Sequence, residues 1–488
     1  MLNGSWTRLM ARGGPSLVFL GALAFYLAIL PYRIDALQVF PIGVPVPTGD
    51  EPYYLELAHS IVYDHDVELT DNYDLREDYL RFYPLPLMSH RSETVAPGHY
   101  SKHQVGLAVL IAPAYWIGDQ FRLGSITASR LAVGGFMGIL SALLVANIYL
   151  LAREAGAGIG TALLATAALG TTNPLLSYSF LIFPEIPAAL CAIYAFRRAR
   201  LAGGGSARDL LVGIALGTLP WLNSRFALIA LPLVLLYVWR RHLLDRQRWG
   251  GLAAFLAPPT LSGGAFLALN YYLYATLVPN VQDHAGLYGP DGALVGLVGS
   301  LIDQQWGLLV HAPVYAIGLA GLAALYWRWR RADPPDSQAR KDLILLLATA
   351  APYLALVFSY RQWWGEWCPP ARYLVAVLPL LAVPMVEALR AGRRAYDRAL
   401  FVGLLAVSLG ISAAFVTVPL LMYNQPTGRS ELLIWLGNFV GVDVIRFFPA
   451  IVGHNAQSGP LAVAWLAFFV GLMLPTSYVW RRRSGSVG

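Results

Sequence analysis

The sequence predicts an all-α polytopic membrane protein, a bundle of about 12 transmembrane helices with a long first loop on one side of the bilayer. Three observations predict it. Hydrophobic residues make up 57% of the chain and charged ones 13%, with a mean hydropathy of +0.54. Apolar runs of about 20 residues, enough to cross a hydrocarbon core, recur along the whole length. Basic residues gather in one set of connecting loops, as the positive-inside rule requires of a multi-pass protein.

The runs fall at 16–33, 130–151, 158–175, 186–200, 209–222, 226–239, 251–273, 307–327, 343–359, 373–389, 400–420 and 460–480. Several carry proline (Pro187, Pro232, Pro258, Pro313, Pro352, Pro379), which a bundle tolerates because neighbouring groups re-satisfy the freed backbone. The first run is expected to stay in place, since PIGVPVPTG follows it without a small-residue cleavage site. A further apolar stretch, LAVLIAPAYWIG after Gly106, is too short to cross. A span there would also invert every later loop against the charge rule, so it reads as a re-entrant or interfacial helix.

With the N-terminus in the cytoplasm, the inner loops hold 23 of the 35 Lys and Arg but only eight of the 28 acids. The net charge of +7 therefore divides into a basic cytoplasmic face and an acidic opposite face. Both termini lie inside, and the first loop faces the periplasm or an equivalent exterior across a cytoplasmic membrane. Such basicity is a topology signal and implies no nucleic-acid partner. Two cysteines, Cys191 and Cys368, provide neither a disulfide framework nor a thiolate metal site.

The whole of 1–488 reads as one integral unit, with a first outer loop at 34–129 and a late one at 421–459. From Asp50 to Lys102 the first loop carries eleven acids against four bases, an ionisable density that suits proton transfer at a membrane surface. Further polar outer segments surround Glu185, the stretch YLYATLVPNVQDHAGLYGPDGALVG with DQQWG after it, and YRQWWGEWCPPARY.

Gly49-Asp50-Glu51-Pro52 reads as a helix start: Asp50 near the N-cap, Pro52 in the first turn, and Leu55, Ala58, Ile61 and Val62 on one apolar face of a helix lying on the membrane. Asp50 then has two compatible readings, a cap or a general base that takes a proton from an incoming hydroxyl. Lys102 is either a snorkelling interfacial lysine or a grip on a lipid phosphate. Glu185, between Pro184 and Pro187, needs a partner so near the bilayer. Arg225 and Arg372 stand at outer ends of spans, where a guanidinium fork binds phosphate oxygens or pairs with Glu185, Glu366 or an anionic lipid. His103, Tyr54 and Glu366 are auxiliary candidates. His59, Asp64, His65 and Asp66 cluster in sequence with His90, His99 and His103 nearby, but no metal-binding motif accompanies them; no cofactor is assigned, and a divalent metal stays an open alternative.

An Asp-Glu pair after the first span, a long outer loop ending in Tyr-Ser-Lys, an acid in the second outer loop and the late WGEWCPPARY segment together resemble the GT-C superfamily of membrane glycosyltransferases. Within it the chain is similar to family 39 relatives, the protein O-mannosyltransferases and lipid A aminoarabinose transferases, best over 15–240. DQQWGLLVHAPVY and WWGEWCPPARYLVAVLPLLAVP look like a bacterial glycosyltransferase branch of that family. The resemblance implies a GT-C-type bundle and a sugar donor linked to polyprenyl phosphate. It further implies Asp50 as catalytic base with Glu51 beside it, Glu185 as the second-loop acid, and Lys102 with Arg372 or Arg225 at the donor phosphate. The acceptor, a glycan, lipid or protein hydroxyl, stays open.

Two other classes use related chemistry. A transporter or flippase of lipid-linked sugars would place its ionisable groups near the bilayer midplane on broken helices of repeated halves, whereas here they collect at one surface and no repeat is visible. A surface-polysaccharide ligase or polymerase would centre on a late outer loop, which 421–459 supplies.

Overall fold

The computed structural model describes residues 4–36, 49–75, 77–83, 86–123, 126–201, 205–240, 249–277, 289, 292–332, 336–392, 394–453 and 458–483. Most of the YLYATLVPNVQDHAGLYGPDGALVG stretch and the proline-rich PIGVPVPT segment lie outside the described residues.

The described residues are mostly helical: α1 (Gly4–Ala36), α2 (Glu51–Tyr63), α3 (Thr70–Leu75), α4 (Glu77–Leu80), α5 (Gly106–Asp119), α6 (Ser129–Glu154), α7 (Ile159–Gly170), α8 (Leu175–Tyr178), α9 (Glu185–Leu201) and α10 (Ser206–Leu222). It continues with α11 (Ala227–Val238), α12 (Trp249–Tyr274), α13 (Ala293–Ile302), α14 (Leu308–His311), α15 (Tyr315–Arg331), α16 (Ser337–Ser359), α17 (Ala382–Ala391), α18 (Ala395–Thr417), α19 (Glu431–Val440) and α20 (Ser458–Arg483). A two-residue antiparallel ladder, Arg122 opposite Thr127, is the one sheet among the described residues.

Each of the 12 apolar runs falls on helix, but the spans are less uniform than expected. Among the described residues five helices are long and apolar enough to cross a membrane: Gly13–Leu30 within α1, and α6, α12, α16 and α18. Proline accounts for part of the difference. The run at 307–327 divides around Pro313 into α14 and α15, and the run at 373–389 begins as two 3₁₀ turns, Arg372–Leu374 and Leu378–Leu381, before α17.

Small residues let the helices approach closely, the usual substitute for a hydrophobic driving force within lipid. Gly213 and Gly217 lie four apart on one face of α10; a Cβ on Gly213 would collide with the Phe255 carbonyl oxygen of α12, and one on Gly217 would press on Pro259 and Ser262 at 3.2 Å. The core surrounds α9, where Ala188, Ala189, Ala192, Ile193 and Phe196 are wholly buried. The two ends of α9 carry different chemistry: Glu185 opens it, while Arg197 and Arg200 close it in ion pairs with Glu154 and Asp342. Glu185 and Arg200 are separated by about 22 Å of helix axis.

The helix beginning at Asp50 differs from a surface helix. Every residue from Glu51 to Ser60 is buried, the polar ones included, because α2 packs into the bundle between α4 and α5.

Candidate active site

Backbone geometry delivers four charged side chains to one end of the bundle. Gly49, at φ +57°, makes a left-handed turn into α2, and a Cβ there would lie 2.8 Å from the Trp367 carbonyl oxygen. That contact seats the start of α2 against the segment leading to Arg372. Asp50 occupies the N-cap position, yet its carboxylate caps no backbone N–H. Arg225 projects from the 3₁₀ turn Ser224–Phe226, whose start is held by the Arg225 N–H donating to Asn223 Oδ1 at 3.2 Å. Arg372 follows Ala371, itself at φ +59°.

These residues form a quartet. Arg372 Nη2 donates to Asp50 Oδ2 at 2.6 Å, and Arg372 Nε donates to Glu185 Oε1 at 3.0 Å. Arg225 Nη2 donates to the same Glu185 oxygen at 2.8 Å. Aromatic faces support both guanidiniums, Phe183 at 4.4 Å from Arg372 Cζ and Tyr373 at 4.3 Å from Arg225 Cζ. Two acids and two arginines leave the group formally neutral. Burial is graded across it: the Glu185 side chain is fully enclosed, whereas that of Asp50 is 22% exposed. Among the described residues Glu185 Oε2 and Arg225 Nε have no hydrogen-bond partner.

The local field keeps Asp50 ionised. Burial alone would raise its carboxyl, but the Arg372 guanidinium, assisted by His103 and His90, holds it well below the usual carboxylate range. Both histidines go the other way. Burial holds His90 down to about 4, reinforced by the Lys102 charge. It holds His103 at about 4 as well, despite the attraction of Asp50. The two rings are linked, His90 Nδ1 lying 3.5 Å from His103 Nε2, and Tyr53 stacks on His90 at 3.7 Å. The Tyr54 ring packs on His103, ring centres 5.0 Å apart.

His103, which feels the Asp50 charge, also lines a narrow cleft of mixed polar and apolar character. Ser101, Lys102, His103 and Gln104 line it together with Trp221 from α10 and Phe266, Leu269, Asn270 and Leu273 from α12.

Other sequence candidates stand apart. Glu51 turns away from Asp50 and makes an ion pair with Arg130 at 2.7 Å, while also accepting from the Ile182 N–H at 2.9 Å. Glu366 is exposed, sits at φ +59° and accepts from Gln362 Nε2. His59 bonds Tyr115 at 2.9 Å and lies 3.3 Å from Asp78. Among the described residues no three His, Cys, Asp or Glu side chains converge as metal ligands.

Sequence reasoning passed over Arg130, and it named the DQQWG segment without reading what its side chains hold. Arg130, at the start of a span, is the partner Glu51 needs; an arginine in that place signals an acid nearby. The DQQWG segment is a clasp. Asp303 accepts from the N–H groups of Gln305, Trp306, Ile451 and Val452, although burial still pushes its carboxyl up to about 6. The Gln305 amide bonds Arg429 O and the Gly428 N–H, and Trp306 O accepts from the Ala371 N–H at 3.1 Å. The late loop is thereby tied to the residue that precedes Arg372.

No family model and no curated protein matches this chain. Solved structures do. The oligosaccharyltransferase of Archaeoglobus fulgidus in its apo form is 14% identical over 86% of this chain and 58% of that one, with a TM-score of 0.44. The same protein tethered to an acceptor peptide is 14% identical over 92% and 61%, with a TM-score of 0.49. ArnT from Cupriavidus metallidurans, bound to undecaprenyl phosphate, is 16% identical over 96% and 75%, with a TM-score of 0.48. The present chain spans a little over half the length of the archaeal protein.

Proposed function

We propose that this protein is an integral membrane glycosyltransferase that moves a sugar from a polyprenyl-phosphate donor to a hydroxyl of an extracytoplasmic glycan, lipid or protein. The observation that carries the reading is the placement of Asp50: an ionised carboxylate at the rim of a buried acid-arginine quartet, linked through His103 to a cleft in which Lys102 stands among polar and apolar side chains. A cation beside an apolar groove suits a phosphate on a hydrocarbon chain, and a carboxylate within the same site suits proton removal.

The reaction is a single displacement with inversion. The acceptor O–H bond breaks and its proton passes to Asp50, while the oxygen forms a bond to the anomeric carbon. The bond from that carbon to the phosphate oxygen breaks, its electron pair leaving with polyprenyl phosphate. Lys102 and Arg372 balance the charge that develops there, with Arg225 behind them. Glu185 acts by orienting the two arginines, and Glu51 by fixing the start of α2 against Arg130. The active site faces the exterior of the cytoplasmic membrane, with both termini inside. A direct test incubates the purified protein with a polyprenyl-phosphate sugar and candidate acceptors and follows free polyprenyl phosphate by mass spectrometry. Donor turnover in unmodified protein that is absent from Asp50→Asn is expected; turnover equal in both removes the assignment.

A further inference from the structure

Arg372 serves two masters at its present position. Its Nε edge is bonded to Glu185 and its Nη2 corner to Asp50, so the proposed base and a proposed phosphate ligand are already engaged with each other. Under the donor reading above, on which this inference rests, both cannot be fully used at once: an arginine that holds Asp50 makes it a poor base, and an arginine held by Asp50 is less available to a phosphate.

We infer that Arg372 is shared in turn between Asp50 and the donor phosphate, so that donor binding draws the guanidinium off Asp50 and readies the base only once the sugar is in place. Burial decides which of its two bonds yields. The Glu185 side chain is fully enclosed and binds Arg225 through the same oxygen, whereas Asp50 is 22% exposed and can be solvated when Arg372 turns away. Glu185 is therefore a positioning residue that keeps the arginine tethered while its outer corner changes partner. Phe183 provides a flat face, 4.4 Å from Arg372 Cζ, over which the guanidinium can pivot without losing its stacking.

Binding order follows from this geometry. An acceptor arriving alone meets a carboxylate already committed to an ion pair. After the donor has bound, the acceptor proton can go to Asp50, the anomeric carbon is attacked, and the charge leaving on the phosphate oxygen falls to the arginine that has moved to it.

The experiment titrates a short-chain polyprenyl monophosphate against the purified full chain and its variants. Asp50→Asn removes the competitor for Arg372 and is expected to bind the probe about tenfold more tightly, the low end of what a charge-assisted contact is worth. In an Arg372→Ala background the same Asp50→Asn change is expected to alter affinity by less than about twofold, since a double-mutant cycle isolates the pair. Equal or weaker binding by Asp50→Asn overturns the inference and leaves the donor reading intact. An equal gain in both backgrounds also overturns it, because simple charge repulsion then accounts for the effect. Failure of the unmodified protein to bind the probe removes the donor reading and the inference together. Should Arg372→Ala not insert, Glu51→Gln makes the same charge change one residue away, against Arg130; a gain there equal to that of Asp50→Asn is the overturning result.

Discussion

Asp50 and Arg372, 322 residues apart in the chain, meet at 2.6 Å, and the carboxylate that begins α2 spends its bonding capacity on that guanidinium instead of on the helix it precedes. A side chain in the N-cap position that does not cap is a departure from the local optimum, and such departures concentrate where a protein acts.

Asp50→Asn preserves volume and the N-cap position but cannot take a proton at neutral pH. Sugar transfer is expected to fall by about a hundredfold or more while the protein inserts and purifies normally, as single-turnover assays with lipid-linked donor would read.

Glu185→Ala strips the acceptor shared by Arg225 and Arg372 and leaves two largely buried cations facing each other. A loss of about 3–5 kcal/mol is expected, as for other broken buried pairs. It would register as a clear drop in detergent-solubilised thermal unfolding. Glu366→Ala, at an exposed position outside the quartet, should leave the unfolding temperature unchanged.

Lys102→Ala should weaken binding of polyprenyl monophosphate several-fold without moving the unfolding temperature, since the side chain lies exposed at the cleft. Isothermal titration alongside the unmodified protein separates this from a snorkelling lysine, whose removal would leave affinity as it was.

Glu56 provides a pH signature. Burial pushes its carboxyl up to about 8, against a hydrogen bond from Tyr73 that favours the ionised form. The folded pKa thus exceeds the unfolded value of about 4.3. Its contribution is fully present below that value and is lost as pH rises toward 8, because folding must then keep a proton that the unfolded chain releases. Glu56→Gln is expected to flatten the decline in unfolding temperature between pH 5 and pH 8; an unaltered slope would exclude Glu56 as its source.

Orientation is open to reporter fusions. Fusions after residue 80 and after residue 365 should report the exterior and one after residue 335 the cytoplasm, following the 23 inner-loop bases. A cytoplasmic signal after residue 80 would place Asp50 on the wrong side for a lipid-linked donor.

Hydropathy and charge are properties of short windows, so the sequence alone determined that the chain is helical, where its apolar runs lie and which loops are basic. It also singled out the acids and arginines worth watching, because a charge beside a span is costly unless it has a use or a partner. What it left undecided is who partners whom. Asp50 and Glu51 are neighbours in sequence, but helix geometry turns successive side chains about 100° apart. One therefore reaches Arg372 and the other Arg130, contacts made by segments that only the packed bundle brings alongside. The same holds for Glu185, whose oxygen joins Arg225 and Arg372 across 40 and 187 residues, and for Asp303, which fastens a loop 148 residues away. Closing such separations depends on how helices cross, and that is set by small residues such as Gly213 and Gly217 and by proline breaks, acting together across the whole bundle.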